Sequence, residues 1–151
     1  MIMNKFAVAG IVAGVCIASP ALALEHEVVI DHPAGAIAAD YEGAVQIETR
    51  QTGTAGVAGR PSTLRCVWSA SLSVERTARL GDVMQSRRSL SRADVARGSA
   101  PGWCKRNADA IDALVEARRE TFRTAMLELV AQDRTALLAE AESVSGKGRE
   151  G

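Results

Sequence analysis

The chain has 151 residues, its 18 Lys and Arg are balanced by 18 Asp and Glu, and aromatic residues make up only 3% of it. Zero net charge excludes a polyanion binder that relies on its overall field. With so few aromatics a core must come from Val, Ile, Leu and Ala, and the length supports one domain of modest size.

The first segment reads as an export signal. Met1 to Lys5 carry a positive charge and no acid, Phe6 to Ile17 is an unbroken run of apolar residues and glycine, and Ser19-Pro20-Ala21-Leu22-Ala23 presents small residues spaced for a signal peptidase. A basic start, a short apolar stretch and an A-x-A site form the signature of a secretory signal peptide. Cleavage is expected after Ala23, which makes 1–23 the leader, 24–142 a single domain and 143–151 a disordered tail. Pro20 and the absence of a following basic cluster argue against an uncleaved membrane anchor. Bulky Val15 ahead of Cys16 argues against a lipoprotein. The mature protein is therefore expected in the periplasm or secreted.

Beyond the leader, the short β-branched stretch Glu27 to Asp31 predicts a strand ended by the turn residues His32-Pro33-Ala34-Gly35. Gly43 to Gln51 alternates, with Val45, Ile47 and Thr49 on one face and Gln46, Glu48 and Arg50 on the other, as in a half-buried strand. Thr52 to Ser62 is glycine-rich and reads as a loop. Leu64 to Arg76 has the strictest period of two in the chain, with Leu64, Cys66, Trp68, Ala70, Leu72 and Val74 facing inward. Val83 to Leu90 reads as a more polar fourth strand or a loop. Ser91 to Arg97 reads as one or two helical turns before Gly98 to Gly102 breaks the chain. From Trp103 to Glu142 a stripe at helical spacing, including Ile111, Leu114, Val115, Phe122, Met126, Leu129, Val130 and Leu137, predicts one long helix. Strands followed by a helix predict an α+β fold, a small antiparallel sheet of three to four strands under one long C-terminal helix.

Once Cys16 leaves with the leader, Cys66 and Cys104 remain. In an oxidising compartment an even pair is read as a disulfide, which would pin the start of the helix to the longest strand. A zinc site completed by His26 and His32 is the alternative, but neither cysteine belongs to a close ligand pair such as C-x2-C. No cofactor or metal motif is present.

The charge is unevenly spread. Ten basic residues between Arg60 and Arg106 face only Glu75, Asp82 and Asp94, whereas Leu24 to Gly59 holds six acids and one arginine. Arg87, Arg88 and Arg92 are the densest basic point, expected on a loop, where they could grip a phosphate or carboxylate. The bland reading is that acidic and basic segments lie side by side and cancel. No aromatics interleave with the arginines, which argues against nucleic acid. Arg118 and Asp133 interrupt the helical stripe and lie too far apart to pair with each other. Arg118 is read as snorkelling past the sheet edge, and Asp133 as marking where the helix outruns the sheet. Leu127 and Leu138 fall opposite the stripe, where they could form a partner surface such as that of a homodimer.

Two functions follow as expectations. The first is a non-catalytic cell-envelope module that binds a protein or an anionic lipid or polysaccharide. The second is a small exported hydrolase using His26 or His32, although no nucleophile motif accompanies either imidazole.

Overall fold

The computed structural model describes residues 21–148. All but the last three residues of the expected leader lie outside that range, as do the final residues 149–151. Four strands, β1 (Leu22–Ile30), β2 (Ile37–Thr52), β3 (Arg65–Leu80) and β4 (Met84–Pro101), are followed by helices α1 (Cys104–Ala117) and α2 (Arg119–Lys147). The sheet is an antiparallel meander in the order β1-β2-β3-β4. Both helices pack on one face of it, so the fold is α+β, with a long C-terminal helix and one disulfide.

Alternation decides which side chains meet the helices. Leu22, Leu24 and Ile30 of β1, Ile37, Ala39, Tyr41 and Val45 of β2, and Cys66 through Leu80 at every second position of β3 are buried. The helices answer with Ile111, Val115, Phe122, Met126, Leu129 and Leu137. Gly98 on β4 lies where a Cβ would come within 2.9 Å of the Trp68 ring. A bare backbone at that point lets the one buried indole lie flat between β3 and the helices.

Four sequence expectations are corrected. Ser91 to Arg97 is strand rather than helix: β4 runs on to Pro101 because the long β3 offers an unpaired ladder along its whole length. The register against β3 slips between Ala70 and Leu72, and Asp94 takes φ +51° there, a bulge that absorbs the extra residues. The predicted single helix is broken at Arg118 (φ −99°, ψ 21°), whose N–H bonds Val115 O and whose carbonyl accepts from Thr121 and Phe122. Arg118 does not pass a sheet edge either. Its guanidinium lies 5.7 Å from the ring of Trp68 on a central strand, a cation–π contact. Finally, Leu114 turns out to be 46% exposed, off the buried stripe.

Cys66 and Cys104 form the disulfide, with Cα atoms 4.8 Å apart. The start of α1 is also held by Gln51, whose Nε2 donates to the carbonyls of Arg65 and Gly102, while its Oε1 accepts from the N–H of Cys104 at 2.7 Å. One amide thus ties β2, β3 and the helix together. At the other end α2 continues as helix to Lys147, five residues past Glu142, with Val144 packed on the core.

Candidate functional site

The polar chemistry of the molecule gathers in one row on the helix-facing side of the sheet. Pairing sets His26 beside Tyr41, Tyr41 beside Arg76, and Arg76 beside Arg88. Arg76 simply continues the β3 alternation past Val74, so its guanidinium enters the core, where it is fully buried. Asp133 of α2 sits on the buried stripe directly above. Arg76 donates through Nε to Asp133 Oδ2 at 2.9 Å and through Nη2 to Asp133 Oδ1 at 3.4 Å. Nη2 also reaches Glu140 Oε1 at 3.0 Å, and Nη1 reaches Glu140 Oε2 at 3.0 Å and Ser86 Oγ at 2.7 Å. All the N–H donors of a guanidinium are therefore engaged. The Tyr41 hydroxyl donates to Asp133 Oδ2 at 2.9 Å, and the Ser86 hydroxyl donates to Glu140 at 2.7 Å. Arg88, from the next strand, adds its Nη1 at 3.5 Å from Asp133 Oδ1. Among the described residues no buried side-chain polar atom lacks a partner.

These contacts set the proton affinities. Burial, then the hydrogen bond to Asp133, pushes the Tyr41 phenol well above its ordinary range. Burial alone would weaken the hold of Arg76 on its proton, but the bonds to Glu140 and Asp133 outweigh this and raise it above its ordinary value. The Arg76 hydrogen bond, working against partial burial and helped by Ser86, holds the Glu140 carboxyl below the usual range. A measurable consequence follows for Tyr41, which is the chain's one tyrosine. Its raised value means that the fold keeps the phenolic proton after an unfolded chain would have released it. Stability should therefore be complete below about pH 10, the ordinary tyrosine pKa, and decline as pH climbs above it. The phenolate absorbance of the native protein should stay flat through that pH and rise only with unfolding. A normal titration in the still-folded protein would show that the hydroxyl reaches water.

Asp133 corrects the sequence reading outright, since it marks a buried ion pair and not the end of the sheet. Two signals could have found it. A charge at an inward slot of the clearest strand and an opposite charge at an inward slot of the covering helix are each anomalous alone, and together they predict a partner.

The basic triplet is divided. Arg87, Arg88 and Arg92 lie on β4 rather than on a loop. Arg88 faces Asp133 and Arg92 pairs with Glu128 of α2, both on the helix side, while Arg87 points from the opposite face of the sheet. Each of the first two already has a carboxylate, so the geometry builds no common anion grip.

The histidines are separated as well. His26 belongs to the edge strand β1 and lines a cleft of about 260 Å³ with Arg119, Arg123 and Leu127. His32 lies in the β1–β2 turn, where its Nδ1 accepts the Ala34 N–H at 3.2 Å. A wider cleft of about 650 Å³ at that end joins His32, Pro33 and Val83 to the end of α2, but its Ser145 hydroxyl is bonded to the Ala141 carbonyl. Neither imidazole makes a hydrogen bond to a hydroxyl or carboxylate among the described residues, and no metal-binding group of His, Cys, Asp and Glu is formed there. Leu127 is 42% exposed, whereas Leu138 packs against the core, so they do not share an outward surface.

What remains open is the other face of the sheet. Both helices leave it uncovered, and it carries short and charged side chains: Ala44, Ser69, Ser71 and Ser73 in the middle, with acids and arginines towards the ends. No protein-family model, curated protein or solved structure matches the chain.

Proposed function

We propose that this is an exported, non-catalytic interaction module of the cell envelope, and that it docks a protein partner on the uncovered face of its sheet. The observation that carries the reading is the one-sided architecture: strands of up to 18 residues present a broad surface, while the buried polar row is spent on holding α2. An antiparallel sheet can leave one polar face in water, so it is the breadth of this face, and not its exposure alone, that favours a partner. Export rests on the leader signature and on the disulfide, which belongs with an oxidising compartment. An anionic lipid or polysaccharide is the weaker choice of partner, because Arg88 and Arg92 are already neutralised by acids of α2.

The reading is tested with a photo-crosslinking side chain placed at Ser71 or Ser73 on the open face, and at Leu114 on the helix side, in the native host. Adducts should form from the sheet positions and not from Leu114, and the protein recovered should begin at Leu24. Adducts from Leu114 alone, or a chain still carrying residues 1–23, would overturn it. Removing 1–23 also takes Leu22 and Ala23 from β1, so the mature strand would start with the Leu24–Gly43 pair.

A further inference from the structure

The open face has a charge pattern that is complementary to itself. Register places Glu25, Glu42 and Glu75 side by side in one row and Glu27 and Asp40 in the next, five acids against Arg87 in that second row and Arg79 in the row beyond it. Like charges directly opposite one another on neighbouring strands are unfavourable. Ser89 donates a hydrogen bond to Glu75, but among the described residues neither Glu25 nor Glu42 makes an ion pair. Towards the other end of the same face the charge reverses, with Arg50 on β2, Arg65 on β3 and Arg97 on β4, and Glu48 the one acid among them. Between the ends lie rows of small or neutral residues: Ala44, Ser73 and Ser91, then Gln46 and Ser71.

From this pattern we infer that the occupant of the open face is a second copy of the chain, laid face to face about a two-fold axis that crosses the strands at the Gln46–Ser71 row. This deepens the protein-docking reading above and rests on it. Rotation about that axis reverses the strand direction, so on β2 and β3 the acidic end of one copy covers the basic end of the other, while β1, which lies wholly on one side of the axis, stays outside the overlap. Glu42 and Arg50 lie four residues to either side of Gln46, and the rotation brings each over the other. Glu75 comes over the region of Val67 and Arg97 by the same operation. An axis along the strands would instead stack acid on acid. The small side chains of the central rows let the two backbones approach, as packed sheets do at about 10 Å.

The area is sufficient. The three long strands β2, β3 and β4, of 16, 16 and 18 residues, present roughly 50 by 15 Å, or about 750 Å² per copy, close to the ~800 Å² per partner of a standard stable interface. Because the contact is isologous, every charge pair occurs twice. The expected complex is polar and salt-sensitive.

The test exploits that symmetry. Sedimentation or light scattering of the purified protein should give a doubled mass at low salt. Glu42→Arg alone and Arg50→Glu alone should each weaken the dimer at least about tenfold, because each sets like charges against each other twice. Combining them restores opposite charges across the axis and should restore the dimer, although the two residues are too far apart to touch within one copy. Circular dichroism of all three variants shows whether the singles stay folded, and rescue in the double distinguishes the interface from a folding defect. A monomeric wild type at high concentration overturns the inference. So does a dimer that both single variants leave intact, or a pair of dissociating singles whose combination fails to reassociate. If the wild type is monomeric while crosslinks from Ser71 to a different protein persist, the second copy is refuted and the docking face stands. If those crosslinks vanish as well, both readings fail.

Discussion

Asp133→Ala is expected to lower the free energy of unfolding by about 3–5 kcal/mol, the usual cost of removing one partner from a buried ion pair. The mechanism is the charge left behind. Arg76 is fully buried and loses its bonds from Nε and Nη2 to that carboxylate, while Tyr41 loses its acceptor. Glu140 still faces the guanidinium but approaches it from the wetter side, its side chain 36% exposed. A domain of this size has only about 5–15 kcal/mol in hand, so the variant is on the margin of folding. Asp133→Asn keeps shape and an acceptor and should lose less. The informative companion is the pair Arg76→Met with Asp133→Leu. Buried ion pairs can often be replaced by apolar residues of similar volume at little cost, so this double variant should be more stable than Asp133→Ala alone. Urea unfolding followed by circular dichroism measures all three. If the double variant is the worst of them, the polar row contributes attraction well beyond relief of a stranded charge.

Loss of the disulfide is the second large effect. The bridge joins residues 38 apart, and loop-closure entropy assigns such a link about 4 kcal/mol. Cys66→Ala with Cys104→Ala avoids burying a new hydroxyl at the core-facing position of Cys66 and should fall short of the oxidised wild type by about that amount in urea titration. Reduction of the wild type should give the same deficit. Equal stability of oxidised and reduced protein would mean that Gln51 and the core already fix the start of α1. Cys66 and Arg76 are ten residues apart on β3, roughly 33 Å along an extended strand, so the deficits from the two regions should add.

The outline of this fold was legible because β3 and α2 carry strong periods. Leu64 to Val74 needed only alternation, and the cysteine pair needed only the expectation of an oxidising compartment. Three features were hidden, each for its own reason. β4 is rich in Ser and Arg and has little strand propensity, and it forms because β3 requires a partner along its length. The break at Arg118 involves neither Gly nor Pro: the apolar stripe runs through it in phase, and only the site of Trp68 explains why an arginine occupies an inward slot. The buried row was the most recoverable of the three. Arg76 continues the inward alternation of β3 and Asp133 the stripe of the helix, so both hold the positions of core residues. The sorting of charge across the sheet could not be read from composition, because it depends on register. The acidic N-terminal segment and the basic middle do lie side by side, yet on the open face the acids gather towards one end, where Arg79 and Arg87 offset only part of them.

The joint at Arg118 has a consequence for how the molecule comes apart. It divides the helical layer into two panels, each riveted by a different chemistry: sulfur for α1, an ionic knot for α2. A reductant acts on the first rivet only, so in a reducing milieu the start of α1 should loosen over its end of β3, held there by Gln51, Ile111 and Val115 alone, while α2 stays seated. Amide exchange in α1 should then quicken by orders of magnitude without a matching change in α2. The helical layer would in that sense be sealed most tightly where thiols oxidise.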